Sequence, residues 1–221
     1  MARSNESPRD CRWVNQLSET IGRESLKDRS IAIYMPDLSG GGLERLQLDL
    51  APFLIAAGIK LTLLLGRAKG ELLSQVPQGA AVVSLDASRQ LSALLPLVKY
   101  LRRARPDVLL AQTEHTAIVA LWARALARSR TRIIVCQHNN FSRQSTRGGW
   151  KFRVLPALFR RFVGWADRVV AVSAGVAEDL IQVTGMPRDR VTLIYNGVIS
   201  SEFARKARSL STISGSQRMY L

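Results

Sequence analysis

The stretch "SIAIYMPDLSGGGLERLQLDLAPFLIAAGIKLTLLLG" (Ser30–Gly66) reads as strand, turn, helix, strand. Its first apolar run, Ser30–Met35, leads into three consecutive glycines, Gly40–Gly42. Leu43, Leu46, Leu50, Phe53 and Leu54 then recur at helical spacing, and the pattern stops at Gly58. Pro52 is expected to kink that helix or to begin a second turn. A second apolar run, Ile59–Gly66, follows. A turn with so little side chain either reverses the chain sharply or lets something lie against the backbone.

Outward from this unit the alternation continues. Strands are expected at Ala80–Asp86, Asp107–Thr113, Arg132–Asn139, Asp167–Ser173 and Val191–Gly197, with helices over Leu91–Pro106, Thr116–Ser129, Trp150–Ala166 and the stretch after Ser173. Strands this apolar are buried on both faces, and the helices between them imply right-handed crossovers. The expectation is an α/β fold: a Rossmann-like open parallel sheet with helices on both faces, over residues 30–200. Residues 1–28 read as a disordered polar tail, and residues 204–221, which lose apolar periodicity, as a poorly ordered one.

The chain has 221 residues, 47% of them hydrophobic, which suits one domain with a substantial core. No apolar stretch reaches the roughly 18–20 residues of a membrane-spanning helix, and the mixed-charge N-terminus lacks the apolar stretch of a signal peptide. A cytoplasmic location is expected, with peripheral attachment to the inner face of a membrane as an addition to it. Cys11 lies in the polar tail and Cys136 in an apolar strand, so a disulfide between them is not expected. Two cysteines and two histidines make no zinc pattern, and no metal is expected. The formal net charge is +15, from 32 Lys plus Arg against 17 Asp plus Glu. That excess favours an anionic partner, whether nucleic acid, lipid headgroups or a phosphorylated substrate, unless it is simply a solvated basic surface.

In a sheet of this kind ligands bind beyond the carboxyl ends of the strands. Four loops there carry polar or glycine residues: Ser39–Gly42, Thr113–His115 with Glu114, Gln137–Asn140 with His138, and Ser173–Gly175. Ser173 reads equally as a helix N-cap. The triple glycine has three readings. One is a dinucleotide fingerprint, in which Gly40 and Gly42 take the first two places while Arg45 falls on the third and obstructs helix–strand packing. Strand two ends in Gly66–Arg67 without an acidic ribose ligand, although Arg67 could accept a 2′-phosphate, which keeps an NADP-binding protein open. The second is a turn that lets a diphosphate or an acceptor approach the backbone, with Glu44 and Arg45 on the first helical turn. The third is a plain tight turn.

Taken together, "GGGLERLQLDLAPFLIAAGIKLTLLL", "RPDVLLAQT", "RIIVCQHNN" and "ADRVVAVSAGVAEDLIQVTGMPRDRVTLIYNGVISSEF" resemble glycosyltransferase family 4, from Ile31 to Phe203. The resemblance implies the N-terminal half of a GT-B enzyme, the acceptor-binding side. Such an enzyme transfers a sugar from a nucleotide-diphosphate sugar, its co-substrate, with retention of configuration and no metal or other cofactor. The acceptor is a lipid-linked molecule or a polysaccharide of the cell envelope. By position it implies Gly40, Gly41 and Gly42 near donor phosphates or acceptor and His138 as the catalytic group. Ser173 and Asn196 fall at motif positions of structural or functional role. In the family Asn196-Gly197-Val198 leads into a donor domain with a paired-glutamate motif, which does not follow here. The expectation is a truncated product, a fragment or one half of a two-chain enzyme, weak or inactive alone.

The segment "RGGWKFRVLPALFRRFVGWADR" has six basic residues against one acid, with Leu158, Phe159, Phe162 and Val163 on one face. Pro156 is expected to begin its usable helix. The pattern fits a membrane-surface helix or a core helix with a solvated arginine face. A nucleic-acid-binding module is the competing class, but the chain has no helix-turn-helix, zinc knuckle or RNP-like aromatic strand.

Overall fold

The computed structural model describes residues 27–140, 142 and 150–195, with the backbone alone over 150–155. Both tail expectations therefore lie outside the described residues, apart from Lys27 and Asp28, and so does Asn196.

Seven strands form one sheet: β1 (Ser30–Met35), β2 (Lys60–Leu65), β3 (Ala81–Ser84), β4 (Val108–Ala111), β5 (Arg132–Gln137), β6 (Arg168–Ala171) and β7 (Val191–Leu193). Every pairing is parallel, in the order β3-β2-β1-β4-β5-β6-β7. Among the described residues the long helices between them are α1 (Gly42–Ala56), α2 (Leu94–Ala104), α3 (Glu114–Ala127), α4 (Trp150–Phe162) and α5 (Ala174–Thr184). The strand order reverses between β1 and β4, and that reversal opens a crevice at the carboxyl ends of the two strands.

Alternation along each strand divides the core in two. Ile33 and Met35 of β1, with Leu61, Leu63 and Leu65 of β2, pack against Leu48 and Ala51 of α1. Ala32 and Tyr34 face the other way and join Leu97 and Leu101 of α2, Ala117–Leu121 of α3, Phe159 of α4 and Leu180 of α5. Helices thus cover both faces, as the apolar strands require. The α/β open parallel sheet expected from the sequence is the fold observed.

One local expectation is corrected and another narrowed. Pro52 does not begin a separate helix but sits inside α1, which continues through it. Pro156 likewise lies inside α4, which begins six residues earlier, at Trp150. In each case one backbone hydrogen bond is lost, while apolar contacts with the core anchor the helix (Leu48 and Ala51 in α1, Phe159 in α4). The helical spacing left open which face of α1 turns inward. The fully buried stripe of α1 is Gln47, Leu48 and Ala51, whereas Leu43, Leu46, Leu50, Phe53 and Leu54 are only half-buried. With leucines on every side of this helix, apolar spacing could not choose the inward face.

Candidate active-site rim

The loop after β1 is held by backbone. Leu38 N–H donates to Lys69 O (3.0 Å), Leu72 N–H to Leu38 O (3.2 Å) and Arg67 N–H to Pro36 O (3.0 Å). Lys69 and Asp37 add an ion pair at 3.7 Å. A Cβ on Gly70 would collide with the Leu38 backbone, so the two loops can approach this closely only over glycine.

This clamp presents the triple glycine. Gly40 has φ +106, a conformation that excludes ordinary side chains. Gly41 is the N-cap of α1 in extended backbone (φ −71), and Gly42 is its first helical residue. Among the described residues a Cβ on Gly42 would meet nothing within 4 Å, and the nearest atoms to one on Gly41 are those of the movable Glu44 carboxylate. Neither position needs glycine to fold. Among the described residues no side chain caps α1 either, so there its first N–H groups stand open at the rim. Arg45 is exposed and does not obstruct the packing of α1 on the sheet.

Beside this turn lies a buried polar chain. Gln47 is 4% and Gln112 2% exposed, and their amides pair reciprocally: Gln47 Nε2 to Gln112 Oε1 at 3.4 Å, Gln112 Nε2 to Gln47 Oε1 at 3.3 Å. His138 Nε2 lies 3.0 Å from the same Gln112 Oε1. Leaving either amide without its partner here would cost about 1–3 kcal/mol, so the pair links α1 to the exit of β4, and Gln112 links that exit to β5. Burial lowers the His138 pKa from its ordinary 6.5, which keeps the ring neutral near pH 7. Sequence reading missed both glutamines, because glutamine within a leucine-rich helix or just after a strand reads as solvent-facing.

The other expected residues separate into two groups. Glu114 opens α3 at 6% exposure, with no hydrogen-bond partner among the described residues, and the helix N-terminus favours its charge. His115 beside it is exposed. Thr113 and Ser173, by contrast, are caps. Thr113 forms a capping box with Thr116, and Ser173 Oγ accepts from Val176 N–H at 3.2 Å. Gln137 Nε2 donates to Asn139 O at 2.8 Å, while its buried Oε1 has no partner among the described residues. Burial pushes the Cys136 thiol up to about 12, so it is not a thiolate nucleophile.

From Leu158 onward the apolar face of α4 and the turn after it belongs to the core: Phe159 is 0% and Val163 2% exposed, and Leu158 and Phe162 pack against the core. Of the two readings of that segment, the core helix with exposed Arg160 and Arg161 is the one observed. Among the described residues no helix is long and apolar enough to cross a membrane, and no group of three or more His, Cys, Asp or Glu could hold a metal. A recess of 420 Å³ lies at the opposite end of the sheet, lined by Arg102, Arg105, Arg128 and Arg130 with Ser129 and Thr131.

Residues 40–202 match the model of Glycosyltransferase Family 4, and the chain belongs to that family. Solved structures place its fold in half of a GT-B molecule. An Anabaena protein, Alr3699/HepE, crystallised with UDP and glucose, superposes with TM-score 0.57 at 22% identity, over 84% of this chain and 50% of that one. The lipopolysaccharide outer core galactosyltransferase WaaB gives TM-score 0.55 at 16% identity, over 75% of this chain and 45% of that one. Acinetobacter baumannii MurG gives 0.51 at 13%, over 78% and 46%. The chain thus spans about half the length of these structures. No curated protein sequence matches it.

Proposed function

We propose that this chain is the acceptor-side half of a family 4 glycosyltransferase, which transfers a sugar from a nucleotide-diphosphate sugar to a lipid-linked or polysaccharide acceptor. The observation that carries the reading is the pair Gly41 and Gly42. The fold does not need glycine at either place, yet both stand at the open N-terminus of α1, at the point where the strand order reverses. A molecule lying against that backbone accounts for the missing side chains. Glu44, whose carboxylate reaches back over Gly41, suits an acceptor hydroxyl better than a phosphate at the same spot, with Arg45 outside it to meet a donor phosphate. The UDP and glucose in the Anabaena protein support a nucleotide-diphosphate sugar as donor.

His138, neutral and half-buried on the exit of β5, is the residue to hold or move a proton at the acceptor. Transfer proceeds with retention and without metal in this reading. Membrane contact in this reading is electrostatic, through Arg160 and Arg161 with the exposed Trp165, because Leu158, Phe159, Phe162 and Val163 are taken up by the core. The test is an assay of the purified chain with nucleotide sugars, alone and with a family donor domain supplied on a second chain. Trace transfer alone and a rise on addition are expected. Robust turnover by the chain alone would overturn the half-enzyme reading.

A further inference from the structure

We infer that the Gln47–Gln112 amide pair selects the tautomer of His138, holding the neutral ring as Nε2–H and leaving Nδ1 as its basic nitrogen. Gln112 Oε1 can only accept, and it already takes one hydrogen from Gln47 Nε2. The His138 nitrogen 3.0 Å away must therefore donate to it.

The selection belongs to the pair and not to Gln112 alone. Turning Gln112 over by itself would set oxygen against oxygen and amide hydrogens against amide hydrogens, at positions 4% and 2% exposed. Turning both amides together restores the reciprocal bonds, but it then offers His138 an N–H. The ring nitrogen must accept in that arrangement, and its proton moves to Nδ1. The two glutamines thus have two self-consistent arrangements, each tied to one tautomer, and the observed one dictates Nε2–H. Gln47 never touches the ring, yet Gln112 cannot turn over, and the tautomer cannot change, unless Gln47 turns with it. Since α1 starts at Gly42, the same chain ties the glycine turn to the histidine.

The tautomer rests on this geometry alone, while its use in catalysis rests on the function proposed above. The chain has two histidines, so ¹H–¹⁵N correlation spectra of the full protein near neutral pH resolve each imidazole. Exposed His115 should show an averaged mixture and His138 a single Nε2–H pattern. Gln47→Met, which keeps the side-chain length but removes the amide, should drive His138 towards the same mixture. A wild-type spectrum with the proton on Nδ1 of His138 would overturn the inference, and that measurement decides even if the variant fails to fold. An unchanged His138 pattern in folded Gln47→Met would also overturn it, by showing that Gln112 acts alone. If the tautomer is as stated but His138→Asn keeps full transfer in a reconstituted two-domain enzyme, the catalytic reading falls and the tautomer selection stands.

Discussion

The two ends of the sheet use polar residues in opposite ways. At the carboxyl end, uncharged groups are buried and joined to one another: Gln47, Gln112 and half-buried His138. At the amino end the charged groups, mostly exposed arginines, are engaged with helix ends and strand starts. Arg102 donates to Leu126 O at 2.9 Å, closing the last turn of α3, and Arg105 Nε donates to Arg102 O at 3.2 Å. α2 and α3 both end on an arginine in left-handed backbone, Arg105 at φ 45 and Arg128 at φ 51. Asp107 accepts from Ser30 N–H (2.8 Å) and Ser30 hydroxyl (2.7 Å), pairs with Arg29, and so ties β1 to β4. Positive charge is the loudest feature of the composition, yet around the arginine recess it serves to finish helices. The candidate site announces itself by buried neutral groups instead.

The largest expected effect separates the two ends by activity. In a reconstituted two-domain enzyme, His138→Ala should lower the rate of transfer by about 10²–10⁴-fold, the usual range for a lost general acid or base, with little change in melting temperature. Arg128→Ala and Arg130→Ala should leave the rate within about twofold, since neither arginine makes an ion pair among the described residues. Equal losses from the arginine variants would erase the distinction between the ends.

A smaller effect sharpens it within the rim. Gly40→Ala should destabilise the chain by about 1–2 kcal/mol in denaturant unfolding, because φ is +106 there. Gly42→Ala should leave stability unchanged or raise it by about 0.4–1 kcal/mol, since the space is open and the backbone helical. It should nonetheless impair transfer. If Gly42→Ala is as active as it is stable, the turn is only a turn.

The smallest effect distinguishes the ends by acid. His138 has a folded pKa below 6.5, so the unfolded chain binds its proton first. Its contribution to stability is complete above about pH 6.5 and is lost as pH falls through that value towards the folded pKa. The Asp107 carboxyl is held below its ordinary value by the Ser30 backbone N–H first, then the Ser30 hydroxyl, with Arg29 adding less. Its contribution is complete above about pH 4 and is lost only below that. Melting temperatures followed downward in pH should therefore fall at the histidine end first, and His138→Gln should remove that first decline. A first decline that survives in His138→Gln would mean the buried histidine is not its source.

Much of the architecture is legible in local pattern. Short apolar runs bounded by glycine and polar turns mark the strands, and β1 ends where its run ends, at Met35. The alternation of strand and helix then leaves little choice but a parallel sheet with right-handed crossovers. The glycine turn was legible for the same reason, since three glycines in a row permit a tight turn, but which of them takes positive φ was not: Gly40 does, and Gly41 does not. Thr113 and Ser173 were legible as polar residues before helices, but being caps is a local role and did not mark them as ligands.

The amino-acid sequence by itself determined the strand and helix order, the rim on which the polar loops gather and the family to which the chain belongs. Tertiary structure decided which face of α1 turns inward, whether α4 offers its apolar face to solvent, and that Gln47 and Gln112 are buried together. Those outcomes depend on partners remote in the chain: the two glutamines stand 65 residues apart. A spacing rule registers neighbours within a few turns, whereas the burial of an amide is permitted only by the particular group that meets it across the fold.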